Sequence, residues 1–577
     1  MIRYLFYQKN PASHYVYIDL TIDAVNADIT ELALAAWRPG RYELGNFSKN
    51  IKRVDVFNEN NEALTFTKST KDVWQINTKN CKHLKVTYSY YSAELNAGAC
   101  YADTNQLYIN PVHCCMQVVG RAEEEHVVEL KIPENYNVAT SLTVCAPSTL
   151  VAKNYEELVD SPFIASANLQ TGSYELNNTT FYLHFNGICK PNWDLYKKDF
   201  TAFILKTIEF WGDCPVNHYH FLFQVLTHKF YHGVEHQKNT VIAIGPGYAI
   251  NTGETYEDVL GVSCHELFHC WNIKFIRPAE MLPYNYSKEN YSRTGYVYEG
   301  FTTYYGDKLL LSSNVFSLEQ YFKTFEERLT KHFHNFGRYN LSLADSSWET
   351  WLDGYLPGTP YRKTSIYDEG SLIAFMLDVK ILEATQTKKS LRNVCVLLYE
   401  RFGKQNKGYN EQDVINLVNE VSGKDFTQFF TDFVYTPADY EKPLQECFNY
   451  LGINFTKQPN PHTSENYFGF KITEANTVFS KIILVVPYSP AWKAGLFAGD
   501  EIMAINGILL KDNCNHWLYY FLNDEEITLT VNSNDQLKTL ILQKDKKGNT
   551  YFFNPVLKLK TDVEEENKIA FESWRKL

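Results

Sequence analysis

From Ile2 to about Asn186, apolar and polar residues alternate in short runs. Tyr15 to Ile22, Leu84 to Tyr90 and His126 to Ile132 each put every second side chain on one face, the pattern of a half-buried strand. Turn residues break these runs at short intervals, and no long helical period intervenes. The N-terminal third is therefore expected to be a β-sandwich-like domain. Trp37-Arg38-Pro39-Gly40-Arg41-Tyr42 reads as a rigid turn between aromatics. His113-Cys114-Cys115 reads as strand residues alternating between faces, because no fourth ligand lies nearby at zinc-site spacing.

After Pro191-Asn192-Trp193 the period lengthens. Leu195, Phe200, Phe203, Ile204, Ile208 and Phe210 recur at helical spacing and end near Gly212. His220 to Leu226 and Asn239 to Ile244 read as strands, with Tyr231-His232-Gly233-Val234-Glu235-His236 between them. A strand edge there would hold an extended peptide by main-chain hydrogen bonds. A helix is expected from Thr255 or Tyr256, with Glu257 and Asp258 in the first turn, where the dipole favours carboxylates. Val259, Leu260, Val262, Leu267 and Phe268 form its apolar positions, and Asn272 to Pro278 ends it. A second helix is expected to open with Glu299. Further helices follow over Ile373–Val379, Leu391–Phe402, Glu411–Ser422 and Phe426–Val434, closing the domain near Lys442 to Cys447.

Gln458-Pro459-Asn460-Pro461 reads as a linker. Tyr467 to Ile472 is a strand opened by Gly469 between aromatics, and the tail with Asp562 to Glu566 is a solvated extension. The fold class is multidomain α+β. Its expected divisions are 1–188, β-rich; 189–447, mainly helical; 455–545, a small module; and 546–577, a C-terminal extension.

Composition narrows the class. A length of 577 residues implies three or four domains. Hydrophobic content of 45% and charged content of 21% fit a soluble globular protein. The net charge of −12 argues against nucleic acid or an anionic membrane as partner. No apolar run approaches the roughly 18 residues of a transmembrane helix, and Met1 to Asn10 lacks the apolar core of a signal peptide. The 12 cysteines are scattered without C-x-x-C pairs, as expected of reduced thiols in a cytoplasmic protein.

The chemistry lies in Ser263-Cys264-His265-Glu266-Leu267-Phe268-His269-Cys270-Trp271-Asn272, which contains H-E-x-x-H. Histidines four apart on a helix face one side, so both imidazoles reach one ion, and Glu266 projects beside it as a base. A zinc site needs a third ligand. Glu299 is the downstream carboxylate in a suitable helical context, which makes the set His265, His269 and Glu299 of the gluzincin type.

The chain here resembles the glycyl aminopeptidase family of gluzincin zinc metallopeptidases, which carry a C-terminal PDZ domain. The resemblance is carried by Trp37 to Tyr42, Tyr231 to His236, His265 to Pro278, Glu299 to Asp307 and Tyr367-Asp368-Glu369-Gly370. In the last module it is carried by Tyr467 to Ile472, Ser489 to Leu496 and Gly499 to Gly507. It implies a thermolysin-like catalytic domain at 189–447, a PDZ domain at 455–545, and aminopeptidase activity on short peptides, often at N-terminal Gly or Ala. Residue by residue, it implies Zn²⁺ on His265, His269 and Glu299, with Glu266 as general base. It also implies a substrate-binding stretch at Gly233 to Glu235, whose Glu235 takes the free α-amine, and an oxyanion-steadying Tyr367. The family usually has Gly where His232 stands and Lys where Glu369 stands. The first departure would narrow the amine pocket and alter side-chain preference, and the second changes charge beside Tyr367. The Tyr467 to Phe470 stretch would bind a peptide's terminal carboxylate, or the module would act as a structural cap. Two other readings stay open: a zinc endopeptidase with the same site, and a PDZ peptide-binding protein with a vestigial metal site.

Overall fold

A computed structural model describes residues 1–577 apart from 357, 476, 546–549 and 577. The alternating runs of the N-terminal third form strands at Tyr15–Asp23, His83–Tyr91 and His126–Lys131, all in one seven-stranded sheet. Tyr15–Asp23 buries every second residue, and Val16, Ile18, Leu20 and Ile22 enter the domain core. His113, Cys114 and Cys115 are not in a strand. Pro111 fixes its own φ and starts a 3₁₀ turn over Pro111–His113, and both cysteines are buried in that core.

The middle of the chain is built on a five-stranded sheet. Its strands are β1 (Gln170–Leu176), β2 (Thr179–Gly187), β3 (His218–Val225), β4 (Phe230–Glu235) and β5 (Asn239–Gly245). They lie in the order β1-β2-β3-β5-β4, so β4 is an edge. The β1–β2 hairpin pairs with β3 and not with the preceding sheets. It therefore joins the domain that was expected to begin at residue 189. The continuous apolar run of β3 has a direct cause, since the sheet is covered on both faces. Phe221 and Phe223 face the helices in the large central core. Leu222, Val234, Val241 and Ala243 meet Tyr108, Ala139 and Ile164 of the N-terminal domain.

The helices that frame the site are α1 (Trp193–Trp211), α2 (Gly253–His269), α3 (Thr302–Ser312), α4 (Leu318–His334) and α5 (Asp368–Ala384). The helix carrying Glu299 does not open with that residue. Glu299 lies inside a π-helical turn, Tyr296–Phe301, that runs into α3, and such turns recur at functional sites. A Cβ on Gly300 would overlap Gly370, and one on Gly370 would overlap Gly300. Two glycines therefore bring the start of α5, and Tyr367 with it, against the Glu299 turn.

The last module is an insertion. Strands β6 (Ile453–Gln458) and β7 (Asn554–Leu559) pair antiparallel with each other and flank it. Within the module the strand begins at Phe470, after Gly469 at φ 73°, and Phe470–Thr473 is a sheet edge. Lys471 Nζ lies 3.0 Å from His334 Nδ1 of α4. The tail is not a solvated extension. Helix α6 (Glu565–Lys576) buries Ala570, Phe571 and Trp574 in the central core. Glu565 and Glu566 occupy its first turn, where the helix dipole favours them. The boundary expected at 545/546 abuts residues outside the described ones.

Candidate active site

Helix α2 begins at Gly253, a little before the expected start, and holds both histidines near its C-terminal end. His265 Nε2 and His269 Nε2 stand 3.0 Å apart, and His269 Nε2 is 3.3 Å from Glu299 Oε2. One nitrogen from each ring and one carboxylate oxygen therefore converge within 4.8 Å of one another. His269 Nδ1 donates to Asn272 O at 2.8 Å, which fixes the tautomer that leaves Nε2 free for a metal. Asn272 is held in turn, its Nδ2 donating to Val297 O at 2.9 Å and to Thr302 Oγ1 at 3.0 Å.

The donor set suits a divalent cation. Burial, then the neighbouring His269, holds the His265 imidazole well below its ordinary value, so it offers a lone pair. Burial works against a proton on His269, yet Glu299, its hydrogen bond, Glu235 and Glu266 outweigh burial and lift it to about 10. Three buried carboxylates around one imidazole leave the site short of positive charge, which a metal ion would supply.

Glu266 is 5% exposed, and its Oε2 has no hydrogen-bond partner. Burial, assisted by Glu235 and Glu299, pushes its carboxyl well above the usual range, against the pull of His269. Gly233 explains where Glu266 rests. A Cβ at Gly233 would overlap Glu266 Oε1 and the Val262 side chain, so only glycine lets edge strand β4 lie against the base. Gly233 thus shapes the pocket rather than supplying a polar group. Glu235, at the end of β4, is 4% exposed with Oε1 unpaired.

Tyr367 sits at the N-terminal end of α5, its hydroxyl 3.4 Å from Tyr355 Oη. Burial and then the Glu299 charge hold its phenol well above the ordinary value, so it stays a proton donor. Glu369 turns away from the site. It is buried, with Oε1 3.2 Å from His332 Nδ1 and Oε2 accepting from Ser365 N–H at 3.1 Å. Its carboxylate is engaged by His332 and the Ser365 amide, while the Tyr367 hydroxyl meets Tyr355.

Strand periodicity alone assigns the N-terminal domain no chemical role, yet its Trp37–Tyr42 turn enters the site. Tyr42 Oη donates to Glu299 Oε1 at 2.9 Å, Tyr42 N–H donates to Tyr355 Oη at 3.1 Å, and Gly40 lies against the Glu235 carboxylate. The turn itself was visible as a rigid segment between aromatics. Tyr355 carried no signal in a chain with 41 tyrosines.

Comparison with known proteins places this geometry. Residues 3–167 match the Peptidase M61 N-terminal domain, 258–373 the M61 glycyl aminopeptidase, and 481–533 a PDZ domain. No curated protein matches the chain. A crystal structure of an aminopeptidase N family protein from Idiomarina loihiensis is 26% identical and has a TM-score of 0.90, with all of both chains covered. An M1 zinc metallopeptidase from Deinococcus radiodurans is 13% identical over 73% of this chain and 90% of its own, with a TM-score of 0.43. That similarity is too slight for anything to rest on it. Among the described residues no helix is long and apolar enough to cross a membrane. The three domain matches in order, joined to a full-length structural match, show a zinc aminopeptidase built from an M61 N-terminal domain, an M61 glycyl aminopeptidase domain and a PDZ domain.

Proposed function

We propose that the site hydrolyses the first peptide bond of short peptides with a free α-amine, using zinc held by His265, His269 and Glu299. The observation that carries the reading is Glu235. A buried carboxylate with an unpaired oxygen, at the end of an edge strand facing Glu266, costs several kcal/mol unless a cation meets it. An α-ammonium is that cation, and anchoring it sets the first peptide bond beside Glu266. The free edge of β4 supports main-chain pairing with an extended substrate.

Zinc supplies a Lewis acid that polarises a carbonyl and lowers a water's pKa to about 7. Glu266, with Oε2 free, takes a proton from the attacking water and returns it to the leaving amine. Tyr367 donates to the oxygen on which negative charge develops, and Tyr355 holds it in line. Tyr42 fixes the rotamer of Glu299.

The expected preference for Gly or Ala is supported by the family resemblance alone. For the PDZ domain, the edge strand Phe470–Thr473 supports binding of a peptide C-terminus, while the Lys471–His334 contact supports a cap. A cytoplasmic setting accords with twelve cysteines that all stand as thiols. The test compares a short peptide with its N-acetylated twin. Cleavage of the free peptide alone is expected, and equal cleavage of both removes the amine-anchoring role of Glu235.

A further inference from the structure

Beyond the Glu235 end of the site lies a cavity of about 410 Å³, within the usual size range of small-ligand pockets. Arg38, Arg41, Lys49 and His232 line it. Arg38 and Arg41 belong to the turn whose Gly40 abuts Glu235, and His232 lies on β4, the strand that ends in Glu235. The cavity therefore starts where the amine anchor stops. His232, which stands where the family pattern has Gly, forms part of this second wall.

Arg38 is the unusual member. It is 5% exposed, and its guanidinium lies against Gly98, where a Cβ would overlap it. Among the described residues its one hydrogen bond runs from Nη1 to Pro39 O, at 3.1 Å. Arg41 beside it is already paired, Nε to Glu43 Oε1 at 2.5 Å. Glu94, the cavity's other acid, accepts from Asn96 Nδ2 at 2.5 Å. The surroundings hold no surplus of negative charge. Burial, then Arg38 and Arg41, push His232 down to about 3. Burial, then Arg38 and Lys49, hold His113 low as well. Both rings are neutral and add no charge to balance the guanidinium. A buried fork with five donors and one acceptor in place fits a planar anion taken bidentately. Glu235 is the nearest negative charge to influence Arg38, but the substrate ammonium claims it.

We infer that this cavity is the subsite for the first residue's side chain, and that Arg38, with Arg41 behind it, selects peptides beginning with an acidic residue, Glu or Asp. The inference rests on the aminopeptidase reading above. Arg38 touches the substrate's side chain and determines specificity without joining the bond-breaking step.

The test uses the zinc-loaded full chain and pairs of dipeptide substrates with one leaving residue, Glu against Gln and Asp against Asn at the first position. The acid is expected to exceed its amide in kcat/KM by about tenfold or more, the scale of one charge-assisted contact. Arg38→Met should bring each ratio close to one. A ratio taken within one enzyme is unaffected by its folded fraction, and Arg41→Gln, expected to shrink the ratio, serves if Arg38→Met does not fold. Competitive inhibition by L-Glu against L-Gln provides a second readout and should follow the same order. Cleavage of Ala- or Gly-peptides with Glu no better than Gln overturns the subsite and leaves the aminopeptidase standing. If no free-amine peptide is cleaved, the parent reading fails. Calorimetric binding of L-Glu against L-Gln then decides the subsite on its own, and equal affinities overturn it.

Discussion

Tyr42→Phe isolates the one hydrogen bond by which, among the described residues, the N-terminal domain reaches the metal ligands. Tyr42 is buried, and its hydroxyl donates to Glu299 Oε1 at 2.9 Å from 257 positions away in sequence. The substitution keeps the ring, so its contacts with Tyr298 at 5.2 Å and Trp351 at 6.0 Å between centroids remain. What is lost is one hydrogen bond to a buried carboxylate, a contact of ~1.5–3 kcal/mol. Part of that loss falls on folding. The rest falls on zinc affinity, because an unrestrained Glu299 rotates away from His269 Nε2, and outer-shell losses of this kind weaken metal binding ~10–100-fold. A tenfold change is ~1.4 kcal/mol, so the two estimates agree. Competition against a chromophoric chelator measures the zinc constant, with thermal unfolding of the zinc-free protein as the control for stability. At saturating zinc, kcat should recover most of its wild-type value. A zinc affinity within about twofold of wild type, with the fold intact, would mean that the Tyr42 bond does not orient the ligand and that the domain contact there is packing alone.

Other expectations follow from the same contacts. Glu266→Gln should keep zinc and lose ~10²–10⁴-fold in kcat; near-normal turnover would refute its role as base. Trp574→Ala removes a side chain that is 1% exposed and donates to Tyr304 Oη at 2.8 Å. It should cost ~3–5 kcal/mol in denaturant unfolding of the catalytic domain, whereas a solvated tail would lose almost nothing. Asp160 lies 2.7 Å from Lys274 Nζ and 3.1 Å from His236 Nδ1. Burial raises its carboxyl, but Lys274 and His236 outweigh that and hold it well below the usual range. Because the folded value is depressed, its stabilisation is fully present above the unfolded value of about 3.9 and fades as pH falls below that. Asp160→Asn should therefore destabilise at neutral pH by ~3–5 kcal/mol, by stranding Lys274, and flatten the acid limb of the stability profile. An unchanged acid limb would count against this assignment.

What the sequence disclosed follows the range of the physics involved. His265, Glu266 and His269 were legible because four-residue spacing on a helix is local geometry. The strands around Ile18 and Val86 were legible because their burial follows a period of two. The insertion was not legible, since β6 finds its partner only after the whole PDZ domain has passed. Helix α6 was hidden for another reason. Three buried residues, Ala570, Phe571 and Trp574, sit in a twelve-residue segment whose other positions are mostly charged or polar, so its composition reads as solvated while its spacing reads as a helix face. The β1–β2 hairpin alternates like the sheets before it and gives no sign that it pairs with β3. Tyr42, Tyr355 and Arg38 belong to the same class, as residues whose partners are set by domain docking.

The charges of the site account for its division of labour. Glu235, Glu266 and Glu299 are all buried, and His269 is the protein cation that Glu266 and Glu299 share. Each then needs a separate source of positive charge. Glu299 is paired with His269 and faces the metal position, so its demand is met before substrate arrives. Glu235 has no ion-pair partner among the described residues, and on the proposed reading the substrate's ammonium meets its demand; a peptide without one would leave the carboxylate buried and bare, at a cost that falls on binding. Glu266 is left between them with a free oxygen and a carboxyl pushed upward by burial and both neighbours. That is the condition of a group that picks up a proton readily and gives it back. Arrival of the ammonium at Glu235 removes part of the repulsion on Glu266, so a free amine adjusts the base as well as positioning the bond. An N-acetylated peptide should accordingly lose in kcat as well as in KM.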